Sequence, residues 1–303
     1  MKVTPVLTSL SNAALMALTK NAPHPDKQVQ IPVYDRDELR PGILHVGVGN
    51  FHRAHMAHCM DDLFATDLDN HKEWGIIGAS LFSAKKRDIL QEQDWLQTLV
   101  ERDGTSEKAS ILASMIDFLP VEEDKQALKK TLVDPNIKIV SLTITEGGYF
   151  LDDGKFAIDH PLIEQDIDNP RQPTTIFGMM VNALNKRRKA GMPAFTILTC
   201  DNIPENGNVV RSIMVQLAQE MYPNSSLSQW IDDEVAFPNS MVDRITPETT
   251  EAMREHIVTN YGYADASPIF CEPFRQWVIE DVPFSSGRPH FEKLTDTVKF
   301  VPD

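Results

Sequence analysis

Cysteine is scarce in this sequence: Cys59, Cys200 and Cys271 are the only three in 303 residues. An odd number, widely spaced, gives no CxxC pair and no disulfide framework. Free thiols suit a reducing compartment, so the chain reads as cytoplasmic. Long apolar runs are missing, and none approaches the ~18–20 residues of a membrane span. The N-terminal twenty residues hold a small apolar patch at Ala13–Leu18 with no clear cleavage site, which fits a mature start or a short helix packed on the domain. Positive charge is also in deficit, with 29 basic against 44 acidic side chains and a net charge of −15. That balance excludes general affinity for nucleic acid, which rests on neutralising phosphates, and for an anionic membrane surface. Low-complexity tracts, internal repeats and the GxSxG, HExxH and Walker A motifs are absent as well. His52, His55 and His58 recur three apart, but no carboxylate or thiolate follows at metal-ligand spacing, so no metal is expected.

What is present is an ordinary globular composition, 42% apolar and 24% charged, long enough for one large domain or two medium ones. Residues 1–40 read as a lead-in, with a helix broken at Asn21–Pro25 and an extended approach from Ile31-Pro32. Short apolar runs then alternate with helical stretches to about residue 220. Strands are expected near Ile43–Val46, Trp74–Ala79, Gln97–Glu101, Lys108–Leu119, Ile137–Thr145 and Ala194–Cys200. Helices are expected over Arg53–Ala65, Val121–Leu132, Thr174–Ala190 and Asn208–Met221. Buried strands without polar alternation suit a parallel sheet covered on both faces, hence a doubly wound α/β fold. Prolines interrupt the pattern from Pro223 onward, and a further structural unit begins near Ile269.

Five segments carry chemistry. In Gly47-Val48-Gly49-Asn50-Phe51-His52-Arg53 two glycines close a strand and open a helix. They let a backbone approach a pyrophosphate, although His52 stands where the fingerprint has a third small residue. A glycine turn without a ligand is the plainer alternative. After the second strand no acid is available to hold a ribose 2′-hydroxyl; Lys85, Lys86 and Arg87 follow instead, facing either a 2′-phosphate or water. Thr145 and Glu146 end the strongest strand, where ligands bind in such sheets, so Glu146 is a candidate for a cofactor contact or a proton relay. Asp201 and Asn202 end another strand, with Asn206 or Asn208 as caps of the next helix and Cys200 a core thiol. Phe237–Pro247 reads as a polar loop in which Asp243 and Arg244 form a structural pair.

Taken together, HVGVGNFHRAH (45–55), SLTITEGGY (141–149), TCDNIPENG (199–207), FPNSMVDRITP (237–247) and EPFRQWVIED (272–281) resemble the mannitol dehydrogenase family, the polyol-specific long-chain dehydrogenases and reductases. The resemblance runs from about residue 40 to the end, nearest the branch that interconverts mannitol and fructose. Fructuronate and tagaturonate reductases and other polyol dehydrogenases are the alternatives. It implies a Rossmann-like, mostly parallel dinucleotide-binding domain over 41–268 and, over 269–303, the beginning of a mainly helical substrate domain. It implies NAD as cofactor, NADP remaining open because the ribose-holding acid is missing. It implies no zinc, a small polyol or ketose as partner, and a monomer. The resemblance further assigns Asn202 to holding the substrate oxygen and Asp243 to the active site. Cofactor contacts fall on Gly47, Gly49, Asn50, Phe51, His52, Arg53, Thr145 and Glu146.

The family's general base is a lysine in a K-x4-N-x2-H motif after the EPF…WVIED segment. Here Lys293 and Lys299 lack the Asn and His at that spacing. Since positioned proton transfer is worth ~10²–10⁴-fold in rate, the chain is expected to be weakly active or inactive alone. The other readings are a cofactor-binding protein without catalysis, and an enzyme completed by a second chain.

Overall fold

The structure is a computed structural model that describes residues 8–19, 23–24 and 26–302. The helix break expected at residues 21–25 falls largely outside the described residues, as do residues 1–7.

The chain enters through β1 (Thr8–Ser9) and a short helix α1 (Leu15–Leu18). The first buried strand, β2 (Pro41–Val46), runs through the glycine turn into α2 (Asn50–Ala54) and α3 (Met56–His71). Next come β3 (Gly75–Ala79), α4 (Lys85–Gln91), the antiparallel pair β4 (Gln97–Arg102) and β5 (Glu107–Leu112), then β6 (Met115–Phe118). The middle holds α5 (Gln126–Leu132), β7 (Ile139–Leu142), the hairpin β8 (Leu151–Asp152) and β9 (Lys155–Phe156), α6 (Pro161–Asp168) and α7 (Ile176–Lys189). The last third holds β10 (Thr196–Thr199), α8 (Asn206–Met221), α9 (Leu227–Glu234), β11 (Ser240–Asp243) and α10 (Glu251–Tyr261). It closes with β12 (Tyr263–Ala264), β13 (Ile269–Cys271), β14 (Gln276–Glu280) and β15 (Val298–Val301).

Five strands make one wholly parallel sheet in the order β10-β7-β2-β3-β6. In chain order that is fifth, fourth, first, second, third, the Rossmann arrangement, whose direction reverses between β2 and β7. Successive side chains of a strand face opposite ways, so each strand feeds two cores. Leu44, Val46, Val140, Leu142 and Ile197 enter one, beneath α7 and α8; Ile43, Ile76, Ile139 and Leu198 enter the other, beneath α3. That dual burial explains the lack of polar alternation in these runs.

Three features go beyond the sequence reading. The run Lys108–Leu119 is two strands, of which only β6 joins the parallel sheet; β4 and β5 form a separate sheet with β13. The region after Pro223 holds α9 and α10, the latter started by Thr250, whose hydroxyl accepts from Met253 N, and ended at Gly262 with φ +78°. Residues 269–302 form strands and one 3-10 turn (Phe291–Lys293), and Trp277, Ile279, Phe291 and Val298 pack with Met56, Met60, Leu63 and Phe64 of α3. This segment lies against the second face of the sheet, beside α3. Among the described residues no helix is long and apolar enough to cross a membrane.

Candidate active site

Where β2 and β7 diverge, an open cleft of about 700 Å³ lies at the carboxyl ends of the strands. Doubly wound sheets bind ligands at this reversal. Its floor is the turn Gly47–Gly49. Gly47 sits at φ +100°, and a Cβ there would lie 2.0 Å from Thr143 O, so only glycine lets β2 pass so close to β7. Thr143 Oγ1 donates to Gly47 O at 2.6 Å and locks the crossing. Gly49 is different. Its backbone is ordinary extended chain (φ −100°, ψ −175°), and a Cβ would find only Gly47 O, at 3.9 Å. The fold therefore does not demand glycine at 49; the missing side chain leaves room in the cleft instead. Beside it the first-turn N–H groups of α2 have no intrahelical acceptor. Unobstructed backbone donors of this kind fit a pyrophosphate.

Thr145, on the opposite wall, is held at φ +63°, a costly region for a β-branched residue. The clamp is Asp201, whose carboxylate accepts from Ile144 N at 2.9 Å, Thr145 N at 3.1 Å and the Tyr149 hydroxyl at 2.6 Å. Burial, then the Asp201 charge, pushes the Tyr149 phenol far up, so it remains a donor. Asp201 is thus a positioning residue, while its neighbour Asn202 is exposed at the cleft.

Asn206 joins that loop to the third wall. Its amide donates to Asp201 O at 3.0 Å and Ser240 O at 2.8 Å, and its carbonyl accepts from Ser240 N at 2.9 Å. The capping expected of Asn206 or Asn208 is done from across the cleft by Asn239, whose carbonyl accepts from Gly207 N and Asn208 N. Residues 240–243 are a strand, not a loop, so Asp243 and Arg244 point to opposite sides and do not pair. Asp243 is exposed at the cleft; Arg244 turns inward to Glu101, His58 Nδ1 and Ala54 O.

The cleft therefore brings together Gly47, Gly49, Asn50, Phe51, Thr145, Asn202 and Asp243. It does not include three residues expected there. His52 is buried and stacked on His45, ring centroids 3.4 Å apart; burial, followed by the His45 charge, holds its pKa well below the usual imidazole range. Arg53 is buried, donating to Ser267 O at 2.8 Å and Asn50 Oδ1 at 2.6 Å, and so braces the turn from behind. Glu146 is exposed and does not line the cleft. Helical phase explains the first two: Asn50 and Phe51 open the helix at the cleft, and the next two residues rotate inward. His55 donates from Nε2 to Gln276 O at 2.8 Å and stacks on Phe51, so His52, His55 and His58 each serve a different partner. Thr143, Met241, Val242 and Thr246 also line the cleft. The period-2 spacing of β11 could have placed Met241 beside Asp243; nothing in the local pattern marks Val242 or Thr246. Cys200, at the cleft's base, has its thiol pushed far up by burial and stays protonated. Among the described residues no lysine lines the cleft: Lys293 pairs with Asp67, and Lys299 lies exposed on β15.

Comparison with known proteins gives this geometry its relatives. Residues 41–293 match the mannitol dehydrogenase Rossmann domain. A mannitol 2-dehydrogenase of Cereibacter sphaeroides is 49% identical over 279 residues, covering 91% of this chain and 57% of that protein. A polyol:NADP oxidoreductase of Gluconobacter oxydans is 40% identical over 272 residues, covering 88% of this chain and 55% of that one. The solved Pseudomonas fluorescens mannitol 2-dehydrogenase, a ternary complex with NAD and D-mannitol, superposes with a TM-score of 0.89 at 43% identity, covering 98% of this chain and 58% of that chain. The chain thus spans a little over half the length of the relatives it matches. A Rossmann sheet with its cleft at the β2/β7 reversal, and a family match running from β2 through β14, make the chain a member of the mannitol dehydrogenase family.

Proposed function

We propose that this chain is the cofactor-binding part of an oxidoreductase that interconverts a polyol and a ketose, mannitol and fructose being the pair that its relatives favour. The observation that carries the reading is the meeting, in one cleft, of the Gly47–Gly49 turn with Asn202 and Asp243. A bound nicotinamide cofactor supplies the hydride chemistry. The chain's own residues bind and orient. Backbone N–H groups after Gly49, and Thr145, hold the cofactor on either side of the β2/β7 reversal. The Asn202 amide donates to the substrate oxygen as negative charge develops there. Asp243 accepts from a substrate hydroxyl and fixes its orientation.

Proton removal from the reacting hydroxyl needs a base with a pKa near neutrality. The lysine that the family resemblance assigns to this task has no counterpart in the cleft among the described residues. The 303-residue chain should therefore bind cofactor and turn over polyol slowly. Titration with NADH and NADPH by intrinsic fluorescence, with mannitol oxidation and fructose reduction followed at the nicotinamide absorbance, tests both halves. Saturable binding with turnover far below the ordinary 1–10³ s⁻¹ of enzymes is expected. A folded chain that binds neither cofactor defeats the reading. Greater activity on fructuronate than on fructose would move the substrate to the sugar acids.

A further inference from the structure

Under the Gly47–Gly49 turn lies a polar chain that does not open to the cleft. His45, on β2, is fully buried and is not among the residues that line the cleft. Its ring bridges the two strands that diverge there. Nδ1 lies 2.8 Å from Ser141 Oγ, beside it on β7. Nε2 lies 2.9 Å from Thr143 Oγ1, just past the end of β7, and 3.3 Å from Gly47 O. The face of the ring is covered by His52 of α2, the two planes 9° apart, and neither His52 nitrogen has a hydrogen-bond partner among the described residues. Stacking holds the plane of the His45 ring, and the bonds along its edges hold its rotation.

The proton positions follow from what each group can do. Gly47 O can only accept, so the Thr143 hydroxyl gives its one hydrogen to that carbonyl. Thr143 Oγ1 must then accept from the ring, which places the ring hydrogen on Nε2. Burial, against the opposing pull of Gly47 O, brings His45 down to about 3. The imidazole is therefore neutral and carries no second hydrogen, so Nδ1 accepts from Ser141. Donation runs one way: Ser141 to His45, His45 to Thr143, Thr143 to Gly47 O. The same carbonyl also accepts from Gly49 N at 2.8 Å. A peptide plane is rigid, so fixing Gly47 O fixes the Val48 N–H on its opposite edge and the direction in which the turn leaves the sheet. Glycine has no side chain to restrict its own rotation, so the course of the turn depends on these bonds.

We propose that His45 is the positioning residue of the cofactor turn: its Nε2–H, acting through Thr143 Oγ1, holds Gly47 O in the orientation that the dinucleotide's pyrophosphate meets. The inference rests on the dinucleotide reading above. Asparagine and glutamine divide the two edges of the ring between them. Counted in bonds from Cβ, an asparagine oxygen reaches the place of Nδ1, and a glutamine amide nitrogen reaches the place of Nε2. Both variants lose the stacking on His52 and one hydrogen bond, so a histidine that merely fills space predicts equal losses. The folded chains are titrated calorimetrically with NADH. His45→Gln should bind within about threefold of the native chain, and His45→Asn should bind about tenfold more weakly or worse, ~1.4 kcal/mol. Should His45→Asn not fold, Thr143→Val against Thr143→Ser puts the same question to the next link, with the loss expected for Thr143→Val alone. Nitrogen-15 spectra of the native imidazole should show Nε2 protonated and Nδ1 bare. Losses that are equal within a pair, absent from it or reversed, or a hydrogen on Nδ1, overturn the positioning role and leave the dinucleotide reading intact. A folded native chain that binds no NADH overturns both.

Discussion

Replacing Gly49 by valine, beside a parallel replacement of Gly47 by alanine, separates what the fold needs from what a ligand needs. At 49 the backbone is extended, a region that β-branched residues adopt readily, and the new Cβ meets nothing closer than 3.9 Å. The stability change should stay within about 1 kcal/mol, because losing a glycine also restrains the unfolded chain. The added methyls fill the approach to the first-turn N–H groups. Losing one or two charge-assisted hydrogen bonds, about 1.5–3 kcal/mol each, weakens dinucleotide binding by roughly 10-fold to 10⁴-fold. At 47 the outcome inverts. Alanine there must hold φ +100° and displace Thr143 O, 2.0 Å from its Cβ. Strain and overpacking of about 1–3 kcal/mol each fall on the fold itself. Urea unfolding reads the first quantity and NADH titration the second. Unchanged NADH affinity in folded Gly49→Val would refute the assignment of this turn to the cofactor. A loss of more than about 2 kcal/mol in that variant would refute the claim that the fold tolerates a side chain there.

Asp201→Ala should cost about 2–3 kcal/mol in urea unfolding, since it takes the acceptor from two backbone N–H groups and leaves the Tyr149 hydroxyl with Thr199 Oγ1 alone; a neutral result would mean Thr145 keeps its conformation unaided. Trp277→Ala should cost about 3–5 kcal/mol and weaken cofactor binding with it, because Trp277 packs on His55 and His55 on Phe51; normal stability would show that the final strands are dispensable. Glu107 is raised by burial but lowered further by hydrogen bonds from Lys27, His256 and Tyr261, leaving it at about 2. Because this carboxyl is depressed below its unfolded value of about 4.5, its contribution is full above that pH and is lost as pH falls toward 2. The stability gap between wild type and Glu107→Gln, measured across that range, should therefore close on acidification; a gap independent of pH would refute the pairing.

Much of this arrangement was legible before any coordinates. The parallel strands announced themselves as short apolar runs, because residues buried on both faces cannot alternate in polarity. Gly47 and Gly49 marked the crossing, and the polar strand ends at Thr145 and Asn202 marked the cleft. What stayed hidden depended on direction and on distant partners. A contiguous motif reading assigned His52 and Arg53 to the ligand, whereas helical phase turns both inward. Asp243 and Arg244 looked like a pair until residues 240–243 proved to be a strand, which sends neighbours to opposite sides. Asp201, Asn206 and Asn239 each act through a group 31 to 57 residues away, a separation that local pattern does not encode.

The closing of the second core by the last strands has a consequence for biosynthesis. Helix α3 and strands β2, β3 and β7 are complete long before Trp277, Phe291 and Val298 exist to cover them. Roughly two hundred residues separate Phe64 from that cover, and at ~5–20 residues per second the ribosome needs on the order of 10–40 s to supply it. Both faces stay open until α7 and α8 emerge, and after Phe237 the nascent chain carries one finished apolar face and one open one, the condition in which chaperones are recruited. The order of synthesis thus sets this protein's exposure to aggregation as much as the strength of its packing. Synonymous codons that slow elongation between residues 200 and 290 should lower its soluble yield without altering a single side chain.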